Sequence, residues 1–449
     1  MASCPPADLG AAARAVLERN RRGAWTCPSS DLYPHQWLWD SCFIAIGLSR
    51  VDPRRAASEL RALFRGQWRN GFLPHMIFVG HLRDLGSRRI WQSRKKPLAP
   101  RDVQTSCITQ PPLPAIAVER VAAALPAADR RAFLDECLPK LVAYHRWLYA
   151  ERDPNRRGLV TLIHPWECGL DTTPSWMSRL RRMQMPWWLR LVLFLRLTGV
   201  VRLFRRDTKF APANERASDD EGLRMLVLAH RAKRYHFELG RLPPDRFVLI
   251  EDVAFNALLA VANQSLLRLA EERGVTLDGR LVERFHATGA ALDELWDERS
   301  AQYYSRDTVS GGLIEVPTIA TFLPLWAGTP SRERTRRLVA LLTTDAGFWP
   351  SFPVPSVPTD APEFDDDRYW RGPTWVNTNW MIVQALRSCG EPRVAEQLRT
   401  RTLELVEAAG FAEYFSALTG EGYGADDFSW TAALVLDLLE PIATASSSG

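Results

Sequence analysis

The chain has 449 residues, 46% hydrophobic and 24% charged with a formal net charge of +5, which describes a soluble globular protein of one large domain or two ordinary ones. Its basic residues are mostly Arg, with five Lys, spread among 52 acidic residues, and this excludes a nucleic-acid stripe. The seven Cys (4, 27, 42, 107, 137, 168 and 389) are odd in number and form no C-x-x-C, which excludes a disulfide framework or zinc knuckle and fits a reducing, cytoplasmic setting.

Along the chain, the opening MASCPPADLGAAARAVLERN turns amphipathic and charged too early to hold a secretory apolar core. Apolar residues at three- and four-residue spacing then predict about eleven helices: 7–20, 39–50, 53–67, 111–125, 128–152, 252–273, 277–296, 331–344, 377–390, 392–410 and 428–439. Pro53, Asp129, Ser331 and Pro392 supply start signals. Strand patterns are short and few, at 157–163 and 302–307. The loops between helices are rich in Trp, Pro, Gly and His, and a toroid of helical hairpins would present such loops at one end. The expected fold is all-α, a single domain over 1–449 built as a six-hairpin (α/α)6 toroid, with 177–244 breaking the rhythm as an inserted cap.

Within that insertion, PWWLRLVLFLRLTGVVRLF (186–204) is apolar but carries Arg190, Arg196 and Arg202. Three Arg six residues apart fall about 120° apart around a helix. No face stays free of charge, which argues against a bilayer span or a clean interfacial helix.

Seventeen Trp are a heavy load, and wide aromatic faces suit sugar rings as well as deep cores. Glycosidic cleavage needs two carboxyl groups, one protonated and one ionised. Two Trp- and Tyr-rich loops offer them: HPWECGLDTTPSW sets Asp171 between Trp166 and Trp176, and FAEYFSALTGEGYG sets Glu413 between Phe411 and Tyr414. Taken alone, each is equally a helix cap or a surface charge.

Taken together, LYPHQWLWD (32–40), GFLPHM (71–76), ITQPPL (108–113), HPWECGLD (164–171), NERASDD (214–220), EDVAFNALL (251–259), PTIATFLPLWAG (317–328), YWRGPTWVNTNW (369–380) and FAEYFSALTGEGYGADDFSW (411–430) resemble, in order, the mannosylglycerate and glucosylglycerate hydrolases of glycoside hydrolase family 63. The resemblance implies an (α/α)6 barrel and an inverting α-glucosidase or α-mannosidase without metal or cofactor. It makes Asp171 the general acid and Glu413 the general base. It places Trp39, Asp40 and Gln110 at the innermost sugar subsite and Trp166 and Gly169 beside the acid. Tyr369, Trp370, Gly372 and Trp375 would close the pocket opposite, and Arg216 would meet a carboxylate on the aglycone. Two departures, Gly222 six residues after Arg216 and the absence of Tyr from the 78–100 loop, imply a differently shaped outer subsite.

Other groups receive blander readings. Trp37, Trp326 and Trp380 sit in helical pattern as core. His35, His75 and His164 lack metal-ligand spacing. Glu167 rivals Asp171 as acid or keeps it protonated by like charge; Asp365, Asp366 and Asp367 form a solvated turn; Asp426 and Asp427 orient Glu413 or cap the last helix. The partner is a small carbohydrate, with a homo-oligomer left open. The alternatives are a carbohydrate-binding protein without catalysis and a membrane-associated accessory protein anchored by 186–204.

Overall fold

A computed structural model describes residues 6–80, 89–195 and 215–440. Its helices in chain order are α1 Pro6–Arg19, α2 Leu38–Leu48, α3 Pro53–Phe64, α4 Pro114–Ala124, α5 Ala127–Arg152, α6 Pro174–Leu180, α7 Trp187–Phe194, α8 Asp219–Arg234, α9 Val253–Glu272, α10 Gly279–Asp293, α11 Pro324–Ala327, α12 Arg332–Leu342, α13 Val376–Ser388, α14 Pro392–Ala409 and α15 Ser429–Leu438. Helices α2, α4, α9, α11, α13 and α15 each pack on the next, and α15 returns to α2. These six form a closed inner ring, and α1, α3, α5, α10, α12 and α14 alternate with them along the chain as the outer ring. The expected (α/α)6 toroid is what forms.

The two rings have different sequences for a physical reason. An inner helix is surrounded by protein and has no solvent face, so all eleven residues of α2 and all ten of α15 are buried. An outer helix buries one stripe; α3 turns Ala56, Ala57, Glu59, Leu60, Leu63 and Phe64 inward. Where α2 meets α15, the backbones themselves touch, since a Cβ on Gly47 would lie 2.0 Å from the Ala433 carbonyl oxygen. Among the described residues one helix, α9, is long and apolar enough to cross a membrane, and that stretch is 83% buried in the ring.

Start signals act as expected at Ser331, which accepts from Arg334 N at 3.2 Å, and at Pro53 and Pro392, which open their helices. Asp129 lies in the first turn of α5 as expected and also meets Arg54 of α3 at 2.9 Å. The sequence pattern overlooks α11 because four residues make little more than one turn, too short to show a period. It follows a 3-10 turn at Ile319–Phe322, opens on Pro324 and ends on left-handed Gly328. The strands at 157–163 and 302–307 shrink to Thr161–Leu162, Gln302–Tyr303 and Arg306–Asp307. Among the described residues, α6, α7 and α8 lie between α5 and α9 with three 3-10 turns, at Pro165–Glu167, Leu239–Arg241 and Pro244–Arg246. Arg224 of α8 ties these pieces together by donating to the carbonyls of Leu180, Arg181 and Met183, each at 3.1 Å.

Candidate active site

The loops preceding the inner helices meet at one rim of the ring, where miniature sheets staple them. Gln36–Trp37, Met76–Phe78 and Gln104–Thr105 pair antiparallel, and Ile250–Glu251 pairs with both Thr161–Leu162 and Arg306–Asp307. The hairpin Tyr414–Phe415/Gly422–Tyr423 joins the 369–375 loop through Thr374 and Phe415. Segments remote in sequence are thereby held around two carboxyl groups.

Glu413 is buried at 1% exposure and collects donors on both oxygens. Tyr33 Oη donates to Oε1 at 2.9 Å, and Arg216 donates to Oε2 at 2.8 Å and to Oε1 at 3.4 Å. The Ala425 backbone N–H donates to Oε2 at 3.1 Å. Four donors suit a carboxylate, because a neutral acid must spend one position on its own proton. The turn supplying Ala425 requires glycine at 424: its φ is +78°, and a Cβ there would stand 2.5 Å from Glu413 Oε2. Gly424 N–H donates to Glu215 Oε2 at 2.9 Å, and Tyr414 Oη to the Glu215 carbonyl at 2.5 Å. Residues 215 and 216, which precede α8, therefore clamp the Glu413 hairpin.

Asp171 stands in the opposite environment. Burial, reinforced by the negative charge of Glu413 and opposed by Arg216, pushes its carboxyl from the ordinary 3.8 up to about 8. Asp40, in the first turn of α2, is held well above the usual carboxylate range by burial, with Glu413 and Asp171 adding to the rise. Asp171 and Glu413 share the Arg216 guanidinium, and Asp40 lies within electrostatic reach of both carboxyls. Such a site favours one ionised member and protonated companions.

The remaining candidates surround these groups in roles that differ in part from expectation. Trp39 is buried, and its backbone N–H donates to Gln110 Oε1 at 3.3 Å. Gly169 lies directly against the Trp39 ring, where a Cβ would approach to 2.7 Å. Trp166 is partly open and lies 4.3 Å from His164 and 6.5 Å from His75, centroid to centroid. Trp370 and Trp375 are fully buried and stack on each other at 3.7 Å, with Tyr414 on the far face of Trp375 at 4.5 Å. They back the wall of the site instead of offering open faces to a sugar. Tyr369 is the element of that loop turned toward the carboxylates. Its backbone has φ +35°, a strained value for a bulky residue, and its hydroxyl is 3.4 Å from Tyr33 Oη. Gly372 adopts an extended φ but touches the Asp365 carbonyl, which a Cβ would meet at 2.4 Å. Arg216, expected to face the aglycone, is 3% exposed and committed to Glu413, with its guanidinium over the rings of Tyr369 and Tyr33 at 5.0 and 5.7 Å. Gly222 lies in the first turn of α8, and part of the tyrosine-free loop falls outside the described residues.

Glu167 is a structural residue and no rival acid. Arg152 holds it with two bonds of 2.7 and 3.0 Å, and the N–H groups of Ile163 and Thr109 donate to it at 2.8 and 3.3 Å. It thereby fixes both the Asp171 loop and the Gln110 loop. Glu167→Ala would leave Arg152 as an unpaired buried charge and should cost about 3–5 kcal/mol, read as a fall in the midpoint of chemical unfolding. Asp366 departs from the solvated-turn reading, since it accepts from Ala417 N at 2.8 Å and from the Ser416 hydroxyl. Asp427 neither orients Glu413 nor caps α15; it pairs with Arg19 at the end of α1 at 2.7 Å. Trp380 is core as expected and donates to Asp437 at 2.7 Å. Trp37 lies in a strand just before α2 and not in a helix, and packs partly open against the core, with Tyr33 and His75 at its edges. His75 meets Ser106 Oγ at 2.5 Å and His164 meets the Met225 carbonyl at 3.0 Å, and burial lowers them to about 3 and 4.

Tyr33, Glu215 and the Gly424–Ala425 turn are the residues overlooked in the sequence. Tyr33 sits inside the LYPHQWLWD segment, but its partner lies 380 residues away and no local spacing announces the contact.

The domain family described as "Mannosylglycerate hydrolase MGH1-like glycoside hydrolase domain" matches residues 33–431. A mannosylglycerate hydrolase of Thermus thermophilus is 40% identical over 432 residues, covering 94% of this chain and 98% of that protein. A glucosylglycerate hydrolase of Mycolicibacterium hassiacum is 34% identical, covering 97% and 99%. The crystal structure of a glycoside hydrolase family 63 mannosylglycerate hydrolase from Thermus thermophilus in complex with Tris and D-glycerate superposes with a TM-score of 0.85 at 38% identity, over 95% of this chain and 99% of that one. The closed ring of six hairpins, the two carboxyl groups at its rim and these likenesses lead to one assignment: the chain is a glycoside hydrolase and belongs to the mannosylglycerate hydrolase MGH1-like family.

Proposed function

We propose that the protein hydrolyses a small α-glucoside or α-mannoside with an acidic aglycone, of the glucosylglycerate or mannosylglycerate kind, with inversion of configuration. The carrying observation is the contrast between the two carboxyls: Asp171 pushed up to about 8 by burial, and Glu413 surrounded by four donors. Asp171, still protonated at neutral pH, gives its proton to the glycosidic oxygen, and Glu413 takes one from the attacking water. Asp40, kept protonated, both donates to and accepts from a sugar hydroxyl. Trp39 and Gln110 shape that subsite, with Trp166 on the acid side and Tyr369 opposite.

In this reading 1–449 is one catalytic domain and 177–244 covers the pocket mouth, supported by Glu215 and Arg216 reaching from that insertion onto the Glu413 hairpin. The acidic aglycone rests on Arg216, whose Nε is buried without a hydrogen-bond partner among the described residues while its other nitrogens hold Glu413. The names of the relatives point to the same leaving group. The enzyme works in the cytoplasm, where its buried thiols would stay reduced. NMR of the first-formed sugar anomer tests the assignment across α- and β-linked glucosides and mannosides, with and without a glycerate aglycone. Release of the β-anomer from an α-linked acidic glycoside is the expected result; release of the α-anomer, or no turnover anywhere in the panel, overturns it.

A further inference from the structure

The outer side of the insertion has a character that hydrolysis does not use. On α7 and the turn after it, Trp187, Leu191 and Leu195 are 77%, 48% and 53% exposed. They are spaced by four residues and so form one stripe, while Leu189 turns inward at 7%. Elsewhere among the described residues, large exposed apolar side chains such as Val51, Val275, Val309 and Leu418 stand far apart in the chain.

Cations gather beside the stripe. Segments 89–96, 181–195 and 230–246 carry twelve Lys and Arg against two acidic residues, net +10, in a chain whose whole net charge is +5. The segments are physically joined: Arg231 donates to the Gln184 carbonyl, Lys233 to the Arg89 carbonyl, and Lys96 Nζ meets His236 Nδ1 at 2.7 Å. Burial, then the charges of Lys233, Arg234 and Arg89, lowers His230; burial, then Arg246 and Arg234, lowers Arg231. The cations are close enough to repel one another, and an anionic partner would relieve that.

We propose that this face binds the surface of an anionic lipid bilayer, with α7 lying in the headgroup plane, Trp187, Leu191 and Leu195 dipping into the acyl boundary and the surrounding Arg and Lys meeting lipid phosphates. Trp at the interface, Leu below it and Arg beside them are the chemistry of interfacial helices. The three exposed apolar side chains favour lipid over a nucleic acid, which would use the cations alone. A second copy is disfavoured because it would bring two strongly positive faces together. The sequence reading that left no face free of charge rested on Arg190, Arg196 and Arg202 together. Of these only Arg190 lies among the described residues, and it is exposed beside the stripe, where a guanidinium reaches headgroups.

The test is co-sedimentation of the intact chain with sucrose-loaded vesicles of phosphatidylcholine, alone or mixed with phosphatidylglycerol. Binding should be at least about tenfold tighter to the mixed vesicles and be released by high salt, since each basic residue near the surface contributes roughly fivefold. A Trp187→Ser/Leu191→Ser/Leu195→Ser variant should lose most of that binding with its far-UV circular dichroism unchanged. Arg182→Glu/Arg190→Glu, two exposed side chains outside the core, should lose it independently. Failure of the intact chain to sediment overturns the proposal. So does equal binding by the serine variant, a result that would point to any polyanion, and so does a stripe variant that merely splits an oligomer.

Discussion

Replacing Asp171 by Asn should lower kcat/KM by at least about a thousandfold on any glycoside whose leaving group needs a proton, the upper part of the range for general acid catalysis. The substitution keeps the shape and removes the proton. For the unaltered enzyme the same assignment fixes the high-pH limb: activity should fall tenfold per pH unit above about 8, the value to which burial and Glu413 raise this carboxyl. Stability follows with a definite sign. The folded state holds a proton that the unfolded chain releases near 3.8, so the contribution of Asp171 is full below that value and is lost as pH rises to about 8. Asn has no proton to lose, and the variant should therefore gain melting temperature relative to the parent across that window. Glu413→Gln should be equally inactive but less stable, because Arg216, 3% exposed, would face a neutral amide and lose its buried partner. Full activity in either variant would move the role to another residue.

Arg216→Met should have the second-largest effect, and one that differs between substrates. A guanidinium bonded to a carboxylate contributes on the order of 1.5–3 kcal/mol, so kcat/KM for an acidic glycoside should drop roughly ten- to a hundredfold beyond the drop for a neutral one sharing its sugar. The pH profile gives a second readout. Arg216 opposes the rise of Asp171, so its removal should carry the high-pH limb above 8. A high-pH limb displaced to more alkaline pH marks an electrostatic role; equal losses on both substrates with an unmoved limb would mean that Arg216 only braces the fold.

Much of this arrangement was legible in the chain because it rests on local rules. The outer helices show one apolar stripe each, and the inner ones show unbroken apolar runs. Asp171 and Glu413 stand out because each shares a short loop with large aromatics. What escaped notice depends on contacts across the ring. The pairing of Arg216 with Glu413 was invisible because it spans 197 residues. Glu167 read as an acid because Arg152, its partner, sits at the end of a helix with nothing to mark it as buried. Trp370 and Trp375 were expected to close the pocket, and composition cannot tell whether such a ring faces the cavity or is stacked behind its wall.

The contact between α2 and α15 has a consequence for how the enzyme comes to exist. These helices come from opposite ends of the chain, and Gly47 lets them meet backbone to backbone. Arg19 and Asn20 add bonds to Asp427 and Ser429. During synthesis the ring stays a broken circle, with the apolar flank of α2 uncovered, until α15 has left the ribosome, since domains complete only once their distant pieces are available. Glu413 emerges only shortly before α15. Half-made chains should therefore be the species most in need of a chaperone, and a nascent enzyme carries its acid long before it acquires its base.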